Sequence, residues 1–305
     1  MLIKSRVNAN FDGFTLLDYL SSRFSYLKRD EWIIRLSQSR FTVNDEQANE
    51  DTVIHNQDNI LYDMPLYDEP EANLDYKIIY NKDNILAIDK PCGLMVHRHG
   101  INYRNNMIYH LRNDHVPPFP TADIVNRIDR NTSGIVLTAL DKDTLAKMLV
   151  LFANRHIKKT YYAVVVGIPE PLCSTIDAPI SKITENLKEN NSNGRFCEVD
   201  MENGKESATR YETVESRNGH SLVRLFPKTG RTHQIRIHLN HIGVPIVGDS
   251  AYGMRDQEYT EYCENKQISP IITDRHLLHC TDVQFIYNGE LVHIKSELPK
   301  EFVLE

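Results

Sequence analysis

Between residues 84 and 226 the chain returns again and again to β-type runs: NILAID, GIVLTAL, TYYAVVVG, TRYETVE and SLVRLF. Branched and aromatic side chains at this density suit a pleated, buried surface. SRNGH (216–220) puts Asn-Gly between the last two runs. That pair favours a two-residue hairpin turn, because both turn positions take a positive φ. The second half of the chain must therefore fold around a sheet with antiparallel neighbours. Helical spacing returns at DKDTLAKMLVLFANRHI, where Leu145, Met148, Leu149 and Phe152 share a face behind capping aspartates.

The first 65 or so residues read differently. Leu16, Leu17, Leu20 and Phe24 fit one helix, and Trp32, Ile33 and Leu36 form the stripe of a second. FTVND alternates into an Asn-Asp turn, and TVIHNQDNILYD supplies a further strand. MPLYDEPEANLDYK (64–77), with two prolines and a run of acids, reads as a linker. The expected fold class is α+β. A small αα-β module spans residues 1–67 and a linker spans 68–76. A mixed, largely antiparallel sheet flanked by helices occupies 77–305. The polar NLKENNSNG near 186–194 reads as a mobile loop.

Several function classes are disfavoured. No apolar run approaches the roughly 20 residues that span a bilayer, and MLIKSRVNANFDG lacks the pattern of a secretory signal. The five cysteines are odd in number and widely spaced, as expected of reduced thiols in a cytoplasmic protein. No phosphate-binding glycine loop, dinucleotide turn or nucleophile elbow occurs. A formal net charge of −7 argues mildly against a nucleic-acid partner. The charge is uneven, however. Residues 221–248 carry four Lys or Arg, three His and no acid, and 151–169 carry Arg155, Lys158 and Lys159 without an acid. These stretches are either solvated faces or, if they converge, a phosphate-contacting groove.

NRIDRNTSGIVL places one carboxylate, Asp129, between two arginines and ahead of an apolar run. A lone carboxylate there can serve as a nucleophile or a base. GRTHQIRIHLNHIG (230–243) fits helical spacing and strand alternation alike, and in both Arg236 is flanked by apolar residues. An arginine so rooted pairs with an anion, for which Asp129 is the candidate, or snorkels to solvent. His233, His238, His241, His276 and His279 offer a metal site, as in a hydrolase, but carry no metal-ligand signature.

At these residues the sequence resembles a known family. NRIDRNTSGIVL is similar to the H-R-L-D-x-x-T-S-G signature of the RluA-type pseudouridine synthases. AIDKPCGLMVH (87–97), KKTYYAVVVG (158–167), GKESATRYE (204–212), GRTHQIRIHLNHIGVPIVGDSAYG (230–253) and RHLLHC (275–280) resemble its other blocks in order. Together they cover most of residues 77–295. Asn126 and Ile128 stand where the family usually has His and Leu. The N-terminal residues resemble the alpha-L type RNA-binding module, with Arg29, Arg35 and Arg40 on its basic positions. Residues 1–67 nevertheless carry seven Lys or Arg against ten Asp or Glu.

The resemblance implies an RNA isomerase that breaks the uridine N1–C1′ bond, turns the base and forms C5–C1′, with no metal or other cofactor. Asp129 would be the essential carboxylate, adding to C1′ or removing the C2′ proton. Arg236 would pair with it and favour its charged form. Tyr161 would stack on the base and help remove the C5 proton, or is simply a core tyrosine. Arg127 would fill the stack left by the flipped uridine. Arg231, Lys228, Arg155, Lys158 and Lys159 are candidates for backbone phosphates. The implied partner is ribosomal RNA of the large subunit, with transfer RNA next, met by a cytoplasmic monomer. A non-catalytic RNA-binding or ribosome-assembly protein on the same fold is the alternative.

Overall fold

A computed structural model describes residues 2–24, 27–63, 69–98, 102–183 and 197–304. The polar stretch at 186–194 lies outside the described residues, as do residues 64–68 of the expected linker segment. The chain divides into two compact units, Met1–Pro70 with His99–Tyr103, and Glu71–Arg98 with Arg104–Glu305. No described helix is long and apolar enough to cross a membrane.

In the first unit the elements are β1 (Leu2–Arg6), α1 (Leu16–Arg23), α2 (Arg29–Leu36), β2 (Phe41–Val43), β3 (Glu46–Gln47) and β4 (Asn59–Asp63). The strands form an antiparallel sheet in the order β1-β4-β2-β3. The Thr15 hydroxyl caps α1 by accepting the Asp18 N–H. Asn44 and Asp45, at φ 50° and 69°, make the expected turn between β2 and β3. The core is aromatic, with Tyr19 and Trp32 buried and Phe41 stacked on Tyr62 at 4.1 Å. Two features depart from expectation. Strand β1 pairs with β4 across the whole unit, a non-local contact without a local signal. Ile33 is exposed, because an eight-residue helix turns only the Trp32–Leu36 stripe inward.

The second unit begins with β5 (Lys77–Lys82), β6 (Ile85–Lys90), α3 (Met107–Asn113), β7 (Asp123–Ile124), β8 (Ser133–Ala139) and α4 (Lys142–Ala153). It continues with β9 (Lys158–Val166), β10 (Cys173–Asp177), β11 (Ile180–Lys182), β12 (Cys197–Val199), β13 (Ala208–Arg217) and β14 (His220–Pro227). Helices α5 (Gln234–His241) and α6 (Asp256–Lys266) and strands β15 (Leu278–Tyr287) and β16 (Glu290–Lys295) complete it. The main sheet runs β10-β13-β14-β9-β15-β8-β6-β5, with β16 on β15 and β7 on β8. Asn218 and Gly219, both at positive φ, close the β13–β14 hairpin as the Asn-Gly pair requires.

Strand β8 is buried along all seven residues. Its contact with β15 is parallel, pairing Ser133 with His279 and Gly134 with Cys280. Gly134, at φ 103°, permits that approach, since a Cβ there would collide with the Cys280 backbone. On α4, Met148 is buried and Leu145 and Phe152 pack against the core, but Leu149 is exposed. The helix lies on the sheet along a narrower stripe than its four apolar positions suggest.

The segment open to two readings is helix α5, ended by Gly243 at φ 77°. Gln234 to Leu239 are all buried, so its polar side chains need internal partners. Gln234 Nε2 donates to the Ala208 carbonyl at 3.0 Å, and His238 bonds Thr209 Oγ1 and the Ala178 carbonyl, each at 2.9 Å. His238 is a strut between α5 and the sheet, not a metal ligand in waiting.

Candidate active site

The loop from Val125 to Thr132 enters β8, and four separate segments fix it. Val125 N donates to the Leu137 carbonyl at 3.0 Å, and Asn126 Oδ1 accepts the Leu137 N–H at 2.8 Å. The residue that departs from the family pattern thus ties the loop to its own strand. Arg130, which had no role from the sequence, donates from Nε to the Gly93 carbonyl at 2.9 Å. Its own carbonyl accepts the Gly93 N–H and the Lys90 ammonium. Lys90 is buried, and its Nζ also reaches the Pro91 and Leu94 carbonyls at 2.8 Å. Burial pushes its pKa down to about 7, with Cys92 and Asp129 acting in the opposite direction.

The 275–279 block grips the other end of the loop. Arg275 Nη1 donates to the Asn131 carbonyl at 3.3 Å and to Ser133 Oγ at 2.9 Å, while Glu301 accepts from its Nε at 2.8 Å. His276 Nε2 lies 2.7 Å from Thr132 Oγ1. His279 bridges Ser133 Oγ at 2.8 Å and Ser296 Oγ at 3.0 Å. Burial pushes His276 down to about 3, helped by the Arg236 charge, and His279 down to about 4. Both are therefore neutral near pH 7 and serve as hydrogen-bonding struts. Among the described residues no group of three or more His, Cys, Asp or Glu is placed to hold a metal ion.

Within this frame Asp129 meets Arg236. Arg236 Nη1 donates to Asp129 Oδ2 at 2.9 Å. Its Nε and Nη2 fork onto Asp249 Oδ2 and Oδ1, both at 2.7 Å. Asp249 Oδ1 also accepts the Ala251 and Tyr252 N–H groups at 3.0 Å. Burial alone would raise the Asp249 carboxyl, but the guanidinium fork holds it below the usual carboxylate range. Burial likewise opposes charge on Arg236, and its two carboxylates outweigh that and raise its pKa. The Tyr252 ring lies 5.1 Å from the guanidinium carbon. Side-chain exposure falls from 27% at Asp129 through 8% at Arg236 to 1% at Asp249. Asp129 is thus the reachable end of a buried chain of charges, suited to attack or proton abstraction at carbon.

A family model described as "RNA pseudouridylate synthase" matches residues 84–241. The chain belongs to this family. As a pseudouridine synthase of the RluA type it is an isomerase acting on RNA. The ribosomal large subunit pseudouridine synthase C of Vibrio cholerae is 34% identical over 234 residues, 77% of this chain and 69% of the relative. RNA pseudouridine synthase 7 of Oryza sativa is 29% identical over 252 residues, 81% and 62% respectively. Among solved structures, human RNA pseudouridylate synthase domain containing 4 shares the fold. Its TM-score is 0.56 at 25% identity, covering 74% of this chain and 89% of that one.

The other expected site residues of this pseudouridine synthase fall in several places. Tyr161 on β9 is buried, its phenol pushed well above the usual 10 by burial and the Cys280 thiol, and the Asp129 charge reaches it. Arg127 is exposed, with Nη1 3.4 Å from His97 Nε2. Arg155 and Arg231 meet on Glu206, the first as an ion pair at 3.3 Å and the second through its carbonyl at 3.2 Å. Lys158 and Lys228 are exposed. Lys159 is half-buried, with its ammonium 5.5 Å from the Phe152 ring centroid, and burial lowers its pKa. In the N-terminal unit Arg29 pairs with Asp18 at 2.6 Å, Arg35 bonds Tyr62 Oη at 3.1 Å, and Arg40 reaches the Asp63 carbonyl at 3.5 Å.

Asp249, Lys90 and Arg275 were not singled out from the sequence. Each stands inside a quoted family block, GDSAYG, DKPCG or RHLLHC, and that was the available signal.

Proposed function

We propose that Asp129 is the carboxylate that opens the glycosidic bond of a target uridine, and that the RNA is ribosomal RNA of the large subunit. The observation that carries the catalytic part is the Arg236 guanidinium, forked on buried Asp249 and bonded to Asp129 at 2.9 Å. It keeps one carboxylate oriented at the edge of the unit, where an extruded sugar can reach it. The reaction is an isomerisation: N1–C1′ breaks, C5–C1′ forms, C5 gives up its proton and N1 takes one up, so that the atoms of the nucleotide are conserved. Tyr161 packs against the base as a neutral phenol, the form any tyrosine holds at neutral pH and that burial favours further. Arg127, exposed two residues before Asp129, fills the vacated stack. Arg155, Arg231, Lys158 and Lys228 contact phosphates, while Lys159, being half-buried, is left out.

The choice of RNA is supported by relatives that carry the name ribosomal large subunit pseudouridine synthase. Full-length Asp129→Ala protein should bind RNA as the wild type does and form pseudouridine more than about a thousandfold more slowly. Turnover at the wild-type rate would remove Asp129 from the chemistry. Pseudouridines mapped transcriptome-wide should disappear from large-subunit ribosomal RNA when the gene is deleted. Losses confined to transfer RNA would overturn the choice of RNA and leave the catalytic assignment standing.

A further inference from the structure

We infer that His233 is a positioning residue for Asp129, presenting an Nε2–H to the Oδ1 oxygen that Arg236 does not hold. This rests on the reading of Asp129 as the reacting carboxylate. His233 precedes α5 in the left-handed region, at φ 56° and ψ 18°. Such a conformation is costly for a non-glycine residue and persists only where its surroundings enforce it. Tyr252 does so, with its hydroxyl 2.9 Å from Nδ1 and the two rings edge to face at 5.5 Å. Tyr252 is itself anchored through its N–H to Asp249, and its Oη accepts the Cys197 N–H at 3.4 Å.

With Nδ1 turned to Tyr252, Nε2 faces the site, 3.9 Å from Asp129 Oδ1. Asp129 is thus bracketed, with Arg236 on Oδ2 and the imidazole toward Oδ1. Burial pushes His233 below its usual pKa, with Asp129 acting in the opposite direction, so one ring nitrogen carries the proton. A lone pair aimed at the carboxylate would repel it, whereas an Nε2–H attracts it. The phenol serves either arrangement, because a hydroxyl both donates and accepts. A separation of 3.9 Å exceeds hydrogen-bond length. Catalytic contacts of this kind tighten when substrate binds. The effect is to limit rotation of the Asp129 carboxylate, so that a chosen oxygen meets the sugar.

A purely structural role, holding Tyr252, predicts the opposite mutational pattern. Gln places an amide N–H near the Nε2 position, whereas Asn reproduces the Nδ1 side and tolerates a positive φ. Single-turnover pseudouridine formation would be measured with full-length enzyme. The substrate is total RNA from cells lacking the gene, which keeps the target uridines unmodified. His233→Gln should stay within about fivefold of the wild-type maximal rate, and His233→Asn should fall about 10- to 100-fold at unchanged half-saturating enzyme. A wild-type rate for His233→Asn, or equal losses in both variants, overturns the inference. If Gln at φ 56° fails to fold, Tyr252→Phe decides: a several-fold slower maximal rate at unchanged half-saturation supports the role, and no change overturns it. Asp129→Asn run alongside separates the two readings, since activity there would defeat the site assignment itself.

Discussion

Arg236 divides its guanidinium between two carboxylates, and the division explains why it is an arginine. Nε and Nη2 occupy Asp249 while Nη1 is left to address Asp129. A lysine is a point charge without the fork, and cannot serve both oxygens of Asp249 and still reach Asp129 in a fixed direction. Arg236→Lys should therefore lower the maximal rate about 100-fold with little change in RNA affinity, read from single-turnover kinetics and a binding titration. Asp249→Ala leaves the buried cation without its main counter-charge and should cost about 3–5 kcal/mol in urea unfolding. Because both residues act through one network, the stability losses of Arg236→Lys and Asp249→Ala in urea unfolding should be strongly non-additive in the double variant. At this scale the residues alone left Arg236 open between pairing with Asp129 and snorkelling to solvent, and it was the resemblance to the family's H-Q-I-R block that pointed to the pair. Asp249 was not singled out, because an aspartate following a glycine reads first as a turn residue.

At the scale of elements, the site depends on how closely β8 and β15 approach. Their parallel contact sets Ser133 beside His279, and Gly134 is what lets the backbones meet. Gly134→Ala should destabilise the protein by more than about 2 kcal/mol, from the positive φ together with the clash. Met148→Ala on α4 should cost about 2–5 kcal/mol, and Leu149→Ala within about 0.5 kcal/mol, because only the first is buried. Urea denaturation of the three variants checks all of these values. The hairpin at Asn218-Gly219 was readable because its turn chemistry is local. Strand β1, the exposure of Leu149 and the helical state of α5 were not, because each is settled by what packs alongside.

At the scale of the whole molecule, buried histidines make the fold sensitive to acid. His276 and His279 have folded pKa values of about 3 and about 4, below the ordinary 6.5 they regain on unfolding. Between those limits the unfolded chain binds protons that the folded one refuses. Their contribution is therefore complete above pH 6.5 and is lost as the pH falls toward 4 for His279 and toward 3 for His276. Each histidine should remove about 1.4 kcal/mol per pH unit well below 6.5. Urea unfolding from pH 7 to pH 4.5 should show this slope, and His279→Asn, which keeps a group for Ser133 Oγ, should reduce it by one histidine's share. An unchanged slope in that variant would show that His279 already titrates normally in the folded state.

The sequence by itself determined the α+β class, the loop that carries Asp129 and the family. These follow from local alternation, turn chemistry and motif order, which are properties of neighbours along the chain. Tertiary structure decided how the acid is held. The Lys90 and Arg130 clasp and the Arg275 and histidine grip join residues from 37 to more than 140 positions apart, and the Asp249 fork joins residues 13 apart, one on α5 and one beyond its end. Such pairings leave no periodicity, because burial and hydrogen-bond satisfaction fix them only once β8, β15 and α5 have packed together.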